Sequence, residues 1–160
     1  MKKLVFMMMT VMVAVMFTSA GSNSGKSGIL GTSAGDFTIG NDDGVINLKQ
    51  LRGKYVLLSL WSSADVISRL ENIKYDRLAT KSADVVQLSV NFDRSRLLFD
   101  ELVAADSLKA SSQYFCEIQD RSVFEEKWGA RQQYNTYLIS PSGTVLAVNP
   151  SNDDLSRLVK

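Results

Sequence analysis

Histidine is absent from this chain of 160 residues. An imidazole is the commonest general base near neutral pH, a frequent metal ligand, and the usual partner that activates a nucleophilic serine or cysteine. Its absence excludes every Ser-His and Cys-His arrangement. No other cluster of metal ligands and no cofactor motif stands out, so we predict neither a metal site nor a cofactor.

Cysteine occurs only once, as Cys116. A single thiol cannot form an intrachain disulfide, and it leaves no second thiol to resolve a mixed disulfide. Within the alternating segment Tyr114–Ile118, a lone cysteine is typical of a small buried apolar side chain. The alternative is a reactive or intermolecularly paired thiol, which would require Cys116 to be exposed and to have a lowered pKa.

Strong charge of either sign is also lacking. The chain has 18 Lys and Arg against 17 Asp and Glu, a net charge of +1, and no basic run. This balance gives no support for binding to a phosphate backbone, so we predict no nucleic-acid partner. A hydrophobic content of 45% with 22% charged residues is ordinary for a globular protein of one domain.

The only long apolar run lies at the N-terminus, where Lys2 and Lys3 precede Leu4–Phe17 and small residues follow. This order is typical of a secretory signal peptide. The run has 14 residues, whereas a membrane-spanning helix needs about 20, so an uncleaved anchor is the less favoured interpretation. We predict a signal peptide over 1–20, a flexible Gly/Ser-rich linker over 21–35 and a folded domain over 36–160. The protein is then exported, periplasmic or associated with the cell surface, without a stable membrane span after leader cleavage.

Strand and helix patterns alternate along the rest of the chain. After an N-terminal hairpin the predicted order is β-α-β-α-β-α-β-β-α, which indicates an α/β fold with a mixed sheet covered on both faces. The predicted hairpin is 37–39 with 45–48; the later strands are 55–61, 84–92, 114–118, 135–140 and 144–148, and the helices are 64–80, 95–105, 122–128 and 153–159.

The helix predicted over Ala64–Thr80 has one apolar stripe. Because its apolar side chains recur at helical spacing, we expect them to face the sheet and the charged residues to face outward. Ser62 or Ser63 is predicted to cap this helix, and Asp65 to lie in its first turn, where the helix dipole favours a carboxylate. The stripe consists of Val66, Ile67, Leu70, Ile73, the aliphatic stem of Arg77 and Leu78, and the outer face of Arg69, Glu71, Lys74 and Asp76.

Several segments in succession carry a family resemblance: 36–39, 53–61 (GKYVLLSLW), 85–90 and 134–143 (YNTYLISPSG). In this order and spacing the chain resembles thioredoxin-like proteins of the TlpA and thiol-disulfide oxidoreductase kind, over about Asp36 to Lys160. The resemblance implies a thioredoxin-like three-layer sandwich, in which a mixed sheet has helices on both faces and an N-terminal β-hairpin.

The chain departs from that family at its redox site. The family pattern is W-x-x-x-C-x-x-C, whereas here Trp61 is followed by Asp65 and Ser68 at the cysteine positions, and Tyr134 stands at the position of the family's cis-proline. A carboxylate and a hydroxyl cannot exchange disulfides. The resemblance therefore identifies Asp65, Ser68 and Tyr134 as vestigial redox positions, and we predict no catalytic residue.

Two interpretations of these positions stay open. In the structural one, Asp65 begins the helix, Ser68 lies on the surface, and Trp61 and Tyr134 belong in part to the core. In the functional one, the vacated cleft binds a ligand, with Trp61 and Tyr134 as anchors and Asp65 as a hydrogen-bond acceptor. A pair of acids formed by Asp65 and Asp93, at the ends of neighbouring strands, is less favoured because no histidine accompanies it.

Together these features favour an exported thioredoxin-like protein without the redox cysteine pair, acting as a non-catalytic binding or accessory module. Its partner would be an envelope or secreted protein or peptide. One alternative is a thiol-disulfide oxidoreductase-related protein that retains redox activity through Cys116 or a partner's thiol. Another is an assembly subunit of a larger envelope complex.

Overall fold

The structure, a computed structural model, describes residues 28–157, and the predicted signal peptide and the first part of the predicted linker lie outside that range. Seven strands and four α-helices occur within it. The strands are β1 (Thr38–Asn41), β2 (Gly44–Asn47), β3 (Tyr55–Trp61), β4 (Val85–Asn91), β5 (Gln113–Phe115), β6 (Thr136–Ile139) and β7 (Val145–Val148). The helices are α1 (Val66–Ala79), α2 (Arg96–Ala105), α3 (Arg121–Trp128) and α4 (Asn152–Ser156).

Five strands form one mixed sheet in the order β5-β4-β3-β6-β7. Strands β3, β4 and β5 are parallel, β6 and β7 are antiparallel to their neighbours, and β1 and β2 form a separate hairpin. The central strand β3 is buried along nearly its whole length, as expected for a strand covered on both faces. The predicted order of elements and the predicted mixed α/β sheet are confirmed.

Two apolar clusters hold the layers together, one on each face of the sheet. On one face, Leu58 and Leu60 of β3 pack with Phe124 and Trp128 of α3 and with residues of the hairpin. On the other face, Leu57 of β3 packs with Tyr75 of α1 and Leu155 of α4. This is the predicted three-layer thioredoxin-like sandwich.

Folded structure begins before Asp36, so the prediction of a flexible linker reaching residue 35 is wrong at its C-terminal end. The backbone N–H of Gly31 donates to Val145 O at 2.9 Å, and that of Ala34 donates to Gly143 O at 2.8 Å. Ala34 is fully buried in the core. The segment 31–34 is ordered because it pairs with residues 143–145, at the start of the edge strand β7, which a Gly/Ser composition does not reveal.

Helix α1 begins later than predicted and is capped by a different residue. Asp65, rather than Ser62 or Ser63, is the N-cap, and its Oδ1 accepts the Ser68 N–H at 3.0 Å. The predicted strand 114–118 likewise ends at Phe115, because Ile118 begins a short 3₁₀ turn. Within residues 28–157, none of the helices has the length and apolar character required to cross a membrane.

The predicted orientation of α1 is wrong for its first two turns, although Leu78 near its C-terminal end packs against the apolar cluster as expected. Val66, Ile67 and Leu70 are exposed, and the residues turned toward the sheet are mainly polar: Ser68, Asn72, Tyr75 and Asp76. The reason lies in the sheet, whose surface beneath α1 carries the buried polar side chains of Gln87 and Ser89. Asn72 Oδ1 accepts hydrogen bonds from Gln87 Nε2 and Ser89 Oγ, both at 2.7 Å. Buried polar groups need partners, so the polar face of the helix is the one that fits.

Candidate functional site

Asp65 and Ser68, the residues that the resemblance aligns with the two redox cysteines, lie above the C-terminal end of β3, at the start of α1. Asp65 is half-buried and caps the helix through its hydrogen bond with the Ser68 N–H. A carboxylate here satisfies one of the unpaired N–H groups of the first turn and complements the positive end of the helix dipole. The structural role predicted for Asp65, as the residue that begins the helix, is therefore observed.

Ser68 is buried, so the interpretation that placed it on the surface is wrong. Its Oγ donates to the carbonyl oxygen of Asp65 at 3.0 Å and accepts the Ser62 N–H at 3.3 Å. The hydroxyl thus joins the first turn of α1 to the segment that leaves β3. Neither partner is a general base, and an unactivated serine hydroxyl is a weak nucleophile.

Asp93, just beyond the end of β4, organises the floor of this site. Its carboxylate accepts Ser62 Oγ–H at 2.6 Å, the Ser63 N–H at 2.9 Å and Asn91 Nδ2–H at 3.0 Å. Burial opposes the charge and raises the pKa, but the hydrogen bonds from Ser62, Asn91 and Ser63 outweigh it, so the pKa of Asp93 lies below its ordinary value. Asp93 therefore holds the loop between β3 and α1 through Ser62 and Ser63, while Asn91 at the end of β4 fixes the carboxylate itself.

Tyr134 lies in the loop before β6 and is half-buried. Its ring centroid is 5.5 Å from that of Phe92, which in turn packs edge-on against Phe124 of α3. Burial raises the pKa of the Tyr134 phenol, so the hydroxyl stays protonated and can donate a hydrogen bond at neutral pH. Tyr134 therefore packs on Phe92, the residue that precedes Asp93 in the chain.

Trp61 does not share a cleft with Asp65 and Tyr134. It has no exposed surface, and its ring packs against Phe99 of α2 with centroids 6.2 Å apart. Tyr134 packs against Phe92, on the α3 side of the sheet, so the two aromatic side chains contact opposite layers. Successive strand residues point to opposite faces, and Trp61 follows the α2-facing alternation. The prediction that Trp61 anchors a bound ligand is therefore wrong.

Cys116 lies immediately after β5 and is buried in the core cluster on the α3 side. Its N–H donates to Asn91 O at 2.9 Å, which continues the ladder beyond the strand. Desolvation raises the pKa of the thiol to about 12, with the nearby Arg121 opposing the shift. A protonated, enclosed thiol is unreactive, which is the buried-residue interpretation predicted for Cys116.

Sequence reasoning recognised Asp93 only as a possible acid pair with Asp65 and missed its role in the loop. The available signal was its position just after a buried parallel strand, since the carboxyl ends of neighbouring strands meet at one edge of the sheet. Among residues 28–157 there is no group of three or more His, Cys, Asp or Glu side chains placed to hold a metal ion.

Solved structures similar to this chain come from thiol-disulfide oxidoreductases and related proteins. The thioredoxin domain of a thiol-disulfide oxidoreductase from Bacteroides vulgatus superposes with a TM-score of 0.68 at 21% identity, covering 82% of this chain and 98% of that one. A thioredoxin-like protein from Parabacteroides distasonis has a TM-score of 0.60 at 28% identity, over 69% of this chain and 82% of that one. A thiol-disulfide oxidoreductase from Bacteroides fragilis has a TM-score of 0.65 at 22% identity, over 79% and 96%.

These similarities show that the chain has a thioredoxin-like fold, the fold in which those oxidoreductases are built. Neither a scan against protein-family models nor a search of the curated proteins finds a match. The fold is thus shared with redox enzymes, while the whole sequence supplies a single cysteine and no C-x-x-C pair.

Proposed function

We propose that this protein is a non-catalytic binding or accessory module built on a thioredoxin-like fold. One observation carries the proposal: the two helix-start positions that the family resemblance assigns to redox cysteines hold Asp65 and Ser68, and both side chains have structural hydrogen bonds. The scaffold around them is complete, from the parallel strands to the capped helix.

Disulfide exchange needs a thiolate that attacks one sulfur atom and a second thiol that releases the product. Asp65 carries no sulfur, and the Ser68 hydroxyl is bound to a backbone carbonyl oxygen and a backbone N–H. Cys116 is the remaining sulfur in the sequence outside the methionines, and it is buried with a raised pKa. The alternative in which redox activity is retained through Cys116 is therefore disfavoured by the position of that thiol.

Export of the protein is part of the proposal and is supported by the N-terminal sequence. Lys2 and Lys3, the apolar run Leu4–Phe17 and the small residues after it have the order of a cleaved leader. An exported module of this kind would act on an envelope or secreted protein or peptide.

The direct test is reduction of insulin disulfides by the purified protein in the presence of dithiothreitol. We expect the rate to equal that of dithiothreitol alone, and a Cys116→Ala variant to give the same background. A rate clearly above background would contradict the proposal. Loss of that rate in Cys116→Ala would then assign the chemistry to the buried thiol.

A further inference from the structure

A small cavity lies between the C-terminal end of α1 and the first half of β4, away from the vestigial redox positions at the start of α1. Its volume is about 130 Å³, and none of Asp65, Ser68 and Tyr134 lines it. A ligand bound there would therefore not touch the vestigial site. The wall of the cavity includes Ile46, Asp76, Ala79, Gln87, Leu88 and Ser112.

The cavity lies at an open edge of the sheet. Strand β5 pairs only with Ser89–Asn91, so the first half of β4 has a strand neighbour only in β3. The carbonyl oxygen of Asn91 faces the β5 side, since it accepts the Cys116 N–H. Carbonyl groups alternate in direction along a strand, so the carbonyl oxygen of Gln87 faces the same side, where β5 has not yet begun. The edge of β4 thus offers a backbone acceptor beside the cavity.

Asp76 places a buried carboxylate against the cavity. It is 5% exposed, and within residues 28–157 it forms no ion pair. Its Oδ1 accepts the backbone N–H of Lys109 at 3.0 Å and, at 3.4 and 3.5 Å, Ser112 Oγ and Gln113 Nε2, whereas Oδ2 has no hydrogen bond to a described residue. Lys109 also lines the cavity, but its side chain is exposed. Buried carboxylates normally have a positive partner, and this one has none among those residues.

Gln87 adds a second unsatisfied acceptor to the wall. The residue is 2% exposed, and its Nε2 donates to Asn72 O at 3.1 Å and to Asn72 Oδ1 at 2.7 Å. Its Oε1 is buried without a hydrogen-bond partner. A buried acceptor without a donor is unfavourable. The cavity therefore combines one negative charge with neutral acceptors, and a ligand that complements it supplies a positive charge and several donors.

We propose that this cavity binds an alkylammonium ion, with its ammonium group at Asp76 and Gln87. A primary ammonium carries one positive charge and three N–H donors. Ile46, Ala79 and Leu88 give the rest of the wall an aliphatic surface, which suits an alkyl chain better than a hydrated metal ion. A cavity of about 150 Å³ accommodates benzene, so this one suits about five non-hydrogen atoms, the size of n-butylammonium. Both a free amine and the side chain of a lysine on another polypeptide present this group.

An NMR titration of the ¹⁵N-labelled protein with n-butylammonium chloride tests the proposal. We expect saturable shifts of the Lys109 and Ser112 amide signals, with a dissociation constant in the millimolar range or below. Uncharged n-butanol should bind at least tenfold more weakly, and KCl at the same ionic strength should give no saturable shift. Nα-acetyl-lysine N-methylamide distinguishes the two sources: binding as strong as that of n-butylammonium assigns the cavity to a lysine side chain, and weaker binding assigns it to a free amine.

Asp76→Asn should raise the dissociation constant at least tenfold, because it removes the charge but keeps an oxygen for the Lys109 N–H. Asp100→Asn is the matched control: Asp100 is an exposed carboxylate of α2 that is paired with Arg96, so its variant should leave the dissociation constant unchanged. Circular dichroism confirms that each variant is folded. If Asp76→Asn is not, Ala79→Met, which fills the cavity from α1, should abolish the shifts.

Four results would each overturn the proposal. They are no saturable shift with n-butylammonium, equal binding of n-butanol, a saturable shift with KCl alone, and an equal effect of the Asp76 and Asp100 variants. None of them depends on insulin reduction, so the alkylammonium site and the proposed function stand or fall separately.

Discussion

Asp93 organises the loop between β3 and α1 through hydrogen bonds to its carboxylate. It lies beyond the end of β4 and accepts hydrogen bonds from Ser62, Ser63 and Asn91. These bonds fix the loop that leads from β3 into α1, and with it the position of Asp65. The position of Asp65 thus depends on Asp93, which lies outside the segment 61–68 that aligns with the cysteine motif.

Replacing Asp93 by Asn should lower the free energy of unfolding by about 1–3 kcal/mol at neutral pH, because the amide cannot accept from all three donors. The lowered pKa of Asp93 means that its contribution is complete above the ordinary carboxyl pKa and is lost as the pH falls through the lower folded-state value. Urea denaturation between pH 7 and pH 3 should therefore show the wild type and the Asp93→Asn variant converging below about pH 4.

Asp100→Asn provides the comparison for this experiment. Asp100 forms a surface ion pair with Arg96, and such pairs contribute roughly 0–1 kcal/mol. Its variant should stay close to the wild type at neutral pH. If Asp93→Asn is equally mild, or if its effect is unchanged at low pH, the assigned role of Asp93 is wrong.

At the scale of elements, α1 is a helix whose sheet-facing side is polar. Asn72 is fully buried, and besides accepting from Gln87 and Ser89 it donates to Gln113 Oε1 at 3.2 Å. The helix is thereby joined to side chains on β4 and β5. Its orientation is set by complementary hydrogen bonds, with Tyr75 providing the main apolar contact on this face.

Asn72→Leu should lower the free energy of unfolding by about 2 kcal/mol or more, since it leaves Ser89 Oγ and Gln113 Oε1 buried without a partner. Leu70→Asn should change it by less than about 0.5 kcal/mol, because Leu70 is exposed. Urea denaturation followed by circular dichroism measures both. The reverse ranking would mean that α1 buries its apolar face instead.

The sequence predicts the strands of this protein better than it predicts the face of α1. The run Val56–Leu60 is apolar except for Ser59, so a buried central strand is expected and is observed. For α1, the prediction assumed that apolar side chains face inward. In β4, however, Gln87, Ser89 and Asn91 alternate with apolar residues, and this pattern already indicated one polar sheet face. The alternation of polar and apolar residues in β4 therefore predicts the buried face of α1 better than the apolar stripe of α1 does.

The sequence predicts the position of Asp65 in the site but not that of Trp61. The start of α1 at the end of β3 follows from local patterns, which is why Asp65 lies where expected. Trp61 was expected to line the cleft because it is the last residue of β3, close in sequence to Asp65. The alternation of side chains along β3 instead directs it toward α2, where it packs against Phe99. The docking of residues 31–34 depends on a distant strand edge, which local sequence does not encode.

At the scale of the whole molecule, Cys116 reports on the integrity of the core. The thiol lies in the main apolar cluster with Phe124 and Trp128, between the sheet and α3. Nothing in its position gives a reagent access while the layers remain packed. Its reactivity should therefore follow the opening of the molecule as a unit.

We expect Ellman's reagent to label Cys116 at least 100-fold more slowly in the native protein than in protein unfolded in urea. Burial and a pKa of about 12 both suppress the thiolate that reacts. The labelling rate should rise with urea in parallel with loss of the circular dichroism signal. Rapid labelling of the folded protein would instead support the redox-active alternative.

The pairing of residues 31–34 with the start of β7 protects this edge of the sheet from pairing with a strand of another chain. A chain shortened to begin at Asp36 would leave the N–H and carbonyl oxygen of Val145, at the start of β7, without these partners at the edge of the sheet. Such an edge templates cross-chain strand addition. Proteolytic cleavage near residue 35 should therefore make the protein prone to aggregation, even though it leaves Asp65, Ser68 and Tyr134 in place.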